Sequence, residues 1–533
     1  MAKLSSLLDL LTMRRTGKGK GKRKMEMDLR AKIGQMLMTG ISSTEVTQEF
    51  ERLVEAYQIG NVILFDRNIE STEQLRRLCR EIQEVVQRHT GHMALIAIDQ
   101  EGGAVSRMPE DAVNMPGAMA LAATGNPGSA YEAGRFTGEE LRSMGVNFNL
   151  APVVDINTNP ANPVIGSRSF GDTPETVIRY SLEMIRGLQE GGVLCAVKHF
   201  PGHGDTAVDS HVGLPVVEKT LAELEETELR PFAAAVAAGV DAVMTTHILF
   251  PGLEPEQIPG TMSRAVLSGL LRRKMGFQGM IITDCMEMGA VAMHYGTAAG
   301  ACRAAAAGAD MLCISHTSAL AAETAGRIYE AVCAGELPQE RIEDAAAHVL
   351  ACKRRAAEYA ARPLAVDFAA GRRLAERLVR ESLTLVRGQL FPLGDNPLFL
   401  GCYAYRSTLA SSSPDQRLSF AGFMQERFGG RAAVTAVDPK PEEIDRCVAL
   451  AAGHDCVVIG TYNGHMNRGQ IDLANRICRE TEAAVMVAAL RDPYDIALID
   501  ERACCVAAYA YSRQCFTALA DALAGQESMR GLA

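Results

Sequence analysis

The sequence predicts an α/β fold in two parts: a large first domain built on a parallel sheet, and a smaller α/β domain after it. From residue 28 to about residue 360, short apolar runs alternate with amphipathic helical patterns. This alternation indicates a parallel sheet that is either closed into a barrel or doubly wound. The length of 533 residues exceeds one ordinary hydrophobic core, which favours two domains.

Seven apolar runs of the first part are predicted strands, with amphipathic segments between them. The runs are NVILF (61–65), ALIAID (94–99), FNLAPVVDI (148–156), CAVKHF (195–200), AVMTTHI (242–248), GMIITD (279–284) and MLCI (311–314). The amphipathic segments are 71–88, 174–190, 220–238 and 263–275. No GxGxxG motif follows a first strand and no GxxxxGK[ST] motif occurs, so the dinucleotide-binding and P-loop classes lose support.

A segment that contains a proline divides the two parts. Residues 318–362 have a helical pattern, and Pro363 interrupts it. We therefore place the first domain at 28–362, a linker at 363–372 and the second domain at 373–533. Six apolar runs of the second domain alternate with helical segments, which predicts a smaller α/β sandwich. These runs are LTLVRG, PLFLGCY, AAVTAVD, DCVVIGTY, AAVMVAAL and CVAAYAY.

Residues 1–27 differ from the rest of the chain. A short leucine stripe is followed by a run of lysine, arginine and glycine, whereas in a secretory signal the basic residues come before the apolar core. One interpretation is an interfacial helix whose basic patch touches acidic lipid. The other is a disordered, solvated basic extension, which is what we expect.

Composition excludes several classes of function. The formal net charge of −10 argues against a nucleic-acid partner. No run approaches the roughly 20 apolar residues of a transmembrane segment. The absence of tryptophan argues against an aromatic platform for long polymers. The 14 cysteines are scattered, with no CxxC pair, which predicts buried thiols in a reducing compartment and so a cytoplasmic protein.

Polar side chains end four of the predicted strands. Asp99, Lys198 with His199, His247 and Asp284 each stand at the carboxyl end of an apolar run. In a parallel barrel these ends meet at one face, where the active site is built. We therefore expect one shared site.

Residues 198–211, KHFPGHGDTAVDSH, admit three chemical interpretations. Four residues are metal ligands by type: His199, His203, Asp205 and His211. A proline and a glycine separate the first two histidines, so no helix places them on one face, and no HExxH motif occurs. As a phosphate cradle, GHGDT lacks the lysine and helix start of a P-loop. We predict no metal and no cofactor.

The third interpretation is an acid/base device made of Asp209 and His211. The two residues are close enough for the carboxylate to hold one ring nitrogen, which favours the protonated imidazole of a proton donor. Alternatively, Asp209 caps a turn and His211 is incidental. Spacing does not separate these two interpretations. In the acid/base interpretation, His203 and Asp205 shape the loop.

Other polar residues have one structural and one functional interpretation each. Asp284 either begins a capping box with Glu287 or is a nucleophile at the barrel mouth. Asp99 belongs to a simple turn or recognises a hydroxyl, and Arg168 forms a surface ion pair or points its donors at a sugar. For His247 we expect a hydrogen-bonded histidine of the barrel core.

Five motifs follow one another between about residues 28 and 360. They are DLRAKIGQMLM, IDQEGGAVSR, NPVIGSRSFG, KHFPGHGDTAVDSH and PGTMSRAVLSGLLRRKMGFQGMIITDCMEMGAV. In this order they resemble glycoside hydrolase family 3, and its β-N-acetylhexosaminidase branch in particular. The second domain is similar more loosely, through VVIGTYN and ALRDPYDI. The resemblance implies a TIM-like (β/α)8 barrel followed by an α/β sandwich.

The resemblance also implies a role for each matching residue. Asp284 is expected to be the nucleophile that forms a covalent glycosyl-enzyme intermediate. His211, on a mobile loop and oriented by Asp209, is expected to be the general acid/base. The residues expected to grip sugar hydroxyls are Asp99, Arg168, Lys198 and His199. The larger β-glucosidases of the family lack the DSH loop, so its presence here favours N-acetylglucosamine over glucose.

The expected function is that of a retaining exo-β-N-acetylglucosaminidase. Its substrates would be small carbohydrates with terminal β-linked N-acetylglucosamine, either muropeptides of peptidoglycan recycling or chitooligosaccharides. One alternative is a phosphorylase of the same sugars, because a histidine in place of the usual acidic carboxyl removes a negative charge and lets phosphate approach. An alternative of another class is an inactive sugar-binding protein. The presence of Asp284, Asp209 and His211 argues against it.

Overall fold

The computed structural model of the chain describes residues 27–206, 213–408, 410–525 and 529–531. Two predictions from the sequence concern other residues. The basic extension lies outside the described residues except for Met27. Asp209 and His211 also lie outside them.

The first domain is a closed barrel of eight parallel strands in sequential order, which confirms the predicted TIM-like architecture. The strands are β1 Leu37–Gly40, β2 Asn61–Leu64, β3 Leu95–Ile98, β4 Phe148–Asn149, β5 Leu194–Phe200, β6 Ala242–Thr245, β7 Met280–Cys285 and β8 Met311–Ile314. Side chains alternate between two layers, as the pleat requires. In β3, Leu95 and Ala97 fill the barrel interior, whereas Ile96 and Ile98 pack against the surrounding helices.

The sequence identified seven of these strands and missed β1. Its residues follow directly on the first helix, so the apolar run reads as a continuation of the helical pattern. The predicted strand 148–156 is also shorter than expected. Pro152 has no N–H to donate to a ladder, and beyond it only an isolated bridge pairs Val153 with Lys198.

Helices surround the barrel and begin and end at recognisable capping residues. Ser71 caps α3 with its hydroxyl, and Thr173 caps α6, whose first residue is Pro174. The helices are α1 Leu29–Gln35, α2 Gln48–Tyr57, α3 Thr72–Thr90, α4 Ala118–Ala123, α5 Gly128–Ser143, α6 Pro174–Gly191, α7 Leu221–Glu226, α8 Leu229–Ala237, a π-helix Ala265–Lys274, α9 Gly289–Ala292, α10 Thr297–Ala307, α11 Ser318–Cys333 and α12 Gln339–Ala360.

The second domain is a seven-stranded sheet between two layers of helices, the predicted α/β sandwich. Its strand order is β11-β10-β12-β13-β14-β9-β15, parallel except that β9 runs antiparallel to β14. The strands are β9 Thr384–Arg387, β10 Pro397–Cys402, β11 Arg431–Thr435, β12 Cys456–Thr461, β13 Ala484–Ala489, β14 Cys504–Ala507 and β15 Arg530–Gly531. The helices are α13 Phe368–Ser382, α14 Phe420–Phe428, α15 Pro441–Ala451, α16 Arg468–Glu480 and α17 Arg513–Leu523.

Successive residues of the central strands supply the two cores of the sandwich. Phe399 of β10 packs into the core beneath α13, α14 and α17, and its neighbours Leu398 and Leu400 pack into the core beneath α15 and α16. This alternation explains why the strands read as continuous apolar runs, because both faces of the sheet are buried.

The domain junction is short. Helix α12 ends at Ala360 and α13 begins at Phe368, so residues 368–372 of the predicted linker are helical. Asp367 caps α13 by accepting from the Ala370 amide. The ring of Phe368 lies edge-on to Phe136 of α5, with 6.5 Å between ring centroids, so α13 packs on the barrel.

All 14 cysteines are free thiols, most of them buried, and all lie in the described parts of the chain. Within those same parts, no helix has the length and apolar character needed to cross a bilayer.

Candidate active site

A cavity of about 670 Å³ opens at the carboxyl ends of the barrel strands. Four of the residues predicted from their positions at strand ends line it: Asp99, Lys198, His199 and Asp284. Arg168, from the loop after β4, lines it as well. The parallel barrel therefore brings five of the seven predicted site residues together, and the other two are Asp209 and His211.

Lys198 and Arg168 share two carboxylates on one wall of the cavity. The Lys198 ammonium lies 2.7 Å from both Asp99 and Glu101. Glu101 also accepts from Arg168 Nε at 2.9 Å and Nη2 at 2.8 Å. Burial would raise the pKa of Glu101, but the two cations outweigh it and hold this pKa well below its usual range. Glu101 is therefore ionised, and Arg168 is buried in this wall and not in a surface ion pair.

A second buried group is centred on Asp155. Its carboxylate accepts from the backbone amides of His199 and His203 and lies 2.6 Å from His199 Nδ1. Burial opposes ionisation, yet the histidines lower the pKa of Asp155. An ionised Asp155 assigns the proton to Nδ1 of His199, so that Nε2 is the acceptor nitrogen of that ring when it is neutral. The Lys198–His199 peptide bond is cis.

The partners of His203 and Asp205 fit a structural role in the loop. His203 Nδ1 lies 2.9 Å from Thr206 Oγ1, and burial lowers the pKa of His203 to about 4, so the ring is neutral at pH 7. Asp205 accepts from Thr158 Oγ1 and pairs with Lys219. These contacts fix residues 203–206, which immediately precede residues 207–212 in the sequence.

Asp284 lies near the carboxyl end of β7 and lines the cavity. Asp284 lies within β7, and the next helix begins at Gly289 with Met288 at its N-cap, so Asp284 does not begin a capping box. Glu287 instead accepts from the amides of His316 and Thr317, after β8, while Asp284 Oδ1 accepts from the next amide, that of Cys285, at 2.7 Å. The capping interpretation is wrong, and the Asp284 carboxylate belongs to the cavity wall.

His247 is the hydrogen-bonded core histidine that we expected. It is fully buried, and its ring nitrogens lie 3.0 Å from Thr261 Oγ1 and 2.9 Å from the Cys285 carbonyl oxygen. His247 thus supports the backbone next to Asp284 from behind.

Sequence reasoning missed three side chains of this site: Glu101, Asp155 and Arg107. Glu101 and Arg107 line the cavity, and both lie in the motif IDQEGGAVSR. Asp155 lies near the end of the predicted strand 148–156, so the rule that selected Asp99 could also have found it. Arg107 is 6% exposed, and its Nε has no hydrogen-bond partner in the described part of the chain.

The second domain contributes to the cavity. Arg406, Ala410 and Ser413, from the loop after β10, line it opposite the barrel floor. The outer rim on the barrel side is aromatic: the Phe65 ring contacts the Arg67 guanidinium at 4.6 Å and the His316 ring at 5.0 Å, centre to centre. The cavity is thus polar and charged at its inner wall and mixed at its mouth.

Comparisons with known proteins agree with this architecture. Residues 28–352 match the model of the glycosyl hydrolase family 3 N-terminal domain. A curated beta-hexosaminidase A of Pseudoalteromonas piscicida is 33% identical over 380 residues, which are 66% of this chain and 64% of that protein. A beta-hexosaminidase of Thiobacillus denitrificans is 34% identical over 298 residues, 55% of this chain and 81% of that protein.

A solved structure extends the similarity to both domains. The family 3 beta-N-acetylglucosaminidase of Paenibacillus sp. FPU-7 superposes with a TM-score of 0.88 and 35% identity, covering 95% of this chain and 98% of that one. Since the family model matches well over half of the sequence, and the barrel has the expected closed topology, the chain belongs to glycoside hydrolase family 3.

Proposed function

We propose that the chain is a retaining exo-β-N-acetylglucosaminidase, which hydrolyses terminal β-linked N-acetylglucosamine through a covalent glycosyl-enzyme intermediate. The observation that supports it most directly is the position of Asp284 on the same cavity as Asp99, Lys198 and Arg168. A carboxylate nucleophile and a rigid set of hydroxyl-binding groups are the two components that a retaining glycosidase needs around one sugar.

In this proposal the chemistry has two steps. Asp284 attacks the anomeric carbon while His211, oriented by Asp209, donates a proton to the departing oxygen. The same histidine then takes a proton from water, which attacks the glycosyl ester and releases the sugar with its β configuration. In the sequence, Asp209 and His211 follow a few residues after His203, which lines the cavity and bonds to Thr206.

The inner wall supplies substrate binding. Its bonds among the described residues engage two of the three Lys198 protons and three of the five Arg168 N–H groups. The remaining N–H donors of Lys198 and Arg168, and the acceptor nitrogen Nε2 of His199, are of the types that hydrogen-bond to sugar hydroxyls. Because these groups are fixed by buried ion pairs, they need little reorganisation when the sugar enters.

The cavity is closed at its floor, so the substrate enters from the mouth with one end first. Barrel-interior side chains such as Leu150 and Met244 close the floor, and the loop after β10 limits the mouth. A cavity of about 670 Å³ suits one sugar and part of a second group, which favours removal of terminal sugars over cleavage within long polymers.

The test is hydrolysis of an aryl β-N-acetylglucosaminide compared with the matching aryl β-glucoside, with and without phosphate. We expect preference for the N-acetylated sugar and water as the acceptor. Equal rates on both glycosides would contradict the substrate assignment. Strong acceleration by phosphate with a sugar phosphate as product would establish the phosphorylase instead. Binding of N-acetylglucosamine without turnover would establish the inactive sugar-binding protein.

We also propose a cytoplasmic location and muropeptides or chitooligosaccharides as the natural substrates, with 1–27 as a disordered basic extension ahead of the two domains. The burial of most of the free thiols supports the location. Recovery of the native protein in the membrane fraction, and its loss from that fraction on deletion of 1–27, would contradict it. Comparing kcat/KM on muropeptide and chitobiose substrates tests the natural source.

A further inference from the structure

Two arginines of the barrel line the sugar cavity, and the second domain contacts Arg107 itself and residues that hold the backbone next to each arginine. Arg107 follows β3 and Arg168 follows β4. The contacts come from residues 491–494, directly after β13, and from the loop after β10. Residues 491–494 belong to the motif ALRDPYDI, to which the proposed function assigns no role.

Asp492 holds the turn on which Arg168 lies. Its Oδ1 accepts from the backbone amide of Ser167 at 2.8 Å, and the Asp492 side chain is buried, with 5% of the residue exposed. A Cβ on Gly166 would lie 2.8 Å from both carboxylate oxygens, and Gly166 has φ of +45°. The Asp492 carboxylate therefore packs directly against Gly166, and a larger residue at position 166 would collide with it.

Tyr494 contacts the same turn through a barrel side chain. Asn157 accepts from the Gly166 amide at 3.0 Å and donates to the Tyr494 hydroxyl at 2.7 Å. The turn Gly166–Arg168 has only three residues, so contacts from outside fix the position of its backbone, while Glu101 and the Val164 carbonyl hold the Arg168 guanidinium itself.

The loop after β10 holds Arg107. The Arg107 guanidinium donates to the Ala410 carbonyl at 2.8 Å, and the Ser412 hydroxyl bonds to both the amide and the carbonyl of Ser106. The Ser412 amide also donates to the Ala104 carbonyl. Arg107 is thus oriented by a carbonyl oxygen that lies 303 residues away in sequence, together with its ion pair to Asp66 of the barrel at 3.3 Å.

Residues 491–494 join these two sets of contacts. Arg491 donates to Ser411 in the loop after β10 and to the Tyr462 hydroxyl, and the next residue is Asp492. One short segment of the second domain therefore supports both arginines, through Ser411 on one side and Ser167 on the other.

We propose that the second domain positions the sugar-binding arginines of the barrel: Asp492 sets Arg168 through the Ser167 amide, and Ala410 with Ser412 sets Arg107. This inference rests on the proposed function, which assigns Arg168 to sugar binding; the inference adds Arg107, which lines the same cavity. Asp492 and Ser412 act through other residues and are positioning residues. The second domain is in this sense part of the active site of the barrel.

The test compares Asp492→Ala with Asp492→Asn, and Ser412→Ala as a milder variant, in the full chain. The matched control is Arg377→Gln, which removes the Arg377–Glu132 ion pair between α13 and α5, another contact between the domains but away from the cavity. The measurements are KM and kcat on the aryl β-N-acetylglucosaminide, inhibition by N-acetylglucosamine, and Tm.

For Asp492→Ala we expect KM and the inhibition constant of N-acetylglucosamine to rise together by on the order of 10-fold. Asp492→Asn keeps an oxygen that accepts from Ser167 and should recover most of the loss. Ser412→Ala should raise both constants about 3-fold, and Arg377→Gln should change neither. Tm should fall no further in Ser412→Ala than in the control.

Unchanged KM and inhibition constants in both Asp492→Ala and Ser412→Ala, in an enzyme whose wild type is active, would overturn this inference and leave the proposed function standing. If Asp492→Ala does not fold, Ser412→Ala decides it: a wild-type KM and a wild-type inhibition constant in that variant would overturn the inference. A wild-type chain that neither cleaves an N-acetylglucosaminide nor binds N-acetylglucosamine would overturn the proposed function, and this inference with it.

Discussion

Replacing Glu101 with glutamine removes the negative charge that lies between Lys198 and Arg168. The three bonds that Glu101 accepts from them are 2.7 to 2.9 Å long, and its side chain is 6% exposed, so solvent screens the charges little. Removing one member of a buried ionic pair costs about 3–5 kcal/mol, and glutamine keeps the shape and one acceptor. We therefore expect a loss of about 3 kcal/mol in the free energy of unfolding, at the lower end of that range.

Calorimetry measures the loss. For the barrel domain, residues 28–362, it corresponds to a fall in Tm of about 4 °C, and Glu343→Gln, which removes a surface ion pair with Lys32, should leave Tm within error. KM for the aryl N-acetylglucosaminide should also rise, because Arg168 and Lys198 lose their fixed positions. A Glu101→Gln variant with wild-type Tm and KM at pH 7 would refute the reasoning.

The acid side of the stability profile provides a second criterion. The pKa of Glu101 in the folded chain lies well below its ordinary value of 4.5, so the unfolded chain binds this proton first as the pH falls. The stabilisation is complete above about pH 4.5 and is lost progressively as the pH falls from there through the depressed folded pKa. The difference in stability between wild type and Glu101→Gln should accordingly be constant from pH 7 to pH 5 and shrink at lower pH.

Two further outcomes follow from the barrel. Burial lowers the pKa of Lys353 to about 7 from 10.5, so the folded chain bears the full cost of the buried charge below pH 7, and this cost falls as the pH rises towards 10.5. Lys353→Met should therefore raise the free energy of unfolding near pH 6 by up to about 5 kcal/mol, less the cost of the two oxygen acceptors that lose the Lys353 ammonium as their donor. Urea unfolding at a series of pH values measures this gain, which should vanish near pH 10.5. A gain independent of pH would contradict this. Gly166→Ala should lower kcat/KM on the order of 10-fold, because its Cβ would collide with Asp492. Wild-type kinetics in that variant would mean that the turn tolerates the displacement.

The sequence predicted the part of the site that depends on local pattern and barrel topology. Asp99, Lys198 and Asp284 could be selected because an apolar run ended at each, and parallel strands deliver such ends to one face. The missed strand β1 lacks this signal, since its four residues continue a helical pattern. His247 satisfied the strand-end rule but bonds to Thr261 and the Cys285 carbonyl, so position alone did not separate a core residue from a cavity residue.

The contacts between distant parts of the chain could not be predicted. The Ala410 carbonyl that orients Arg107 is a backbone atom, so no residue type marks it. Asp492 stands after a predicted strand of the second domain, yet nothing local indicates that it meets Ser167. Such pairs depend on how the two domains pack, which the periodicity of either domain does not encode.

The central claim is that Asp284 forms a covalent bond to the sugar. The most direct measurement is peptide mapping by mass spectrometry after incubation with a fluorinated aryl β-N-acetylglucosaminide, whose intermediate hydrolyses slowly. We predict an added glycosyl group on the peptide that contains Asp284, and none in the Asp284→Asn variant. An adduct on another residue, or rapid turnover without any adduct, would contradict the claim.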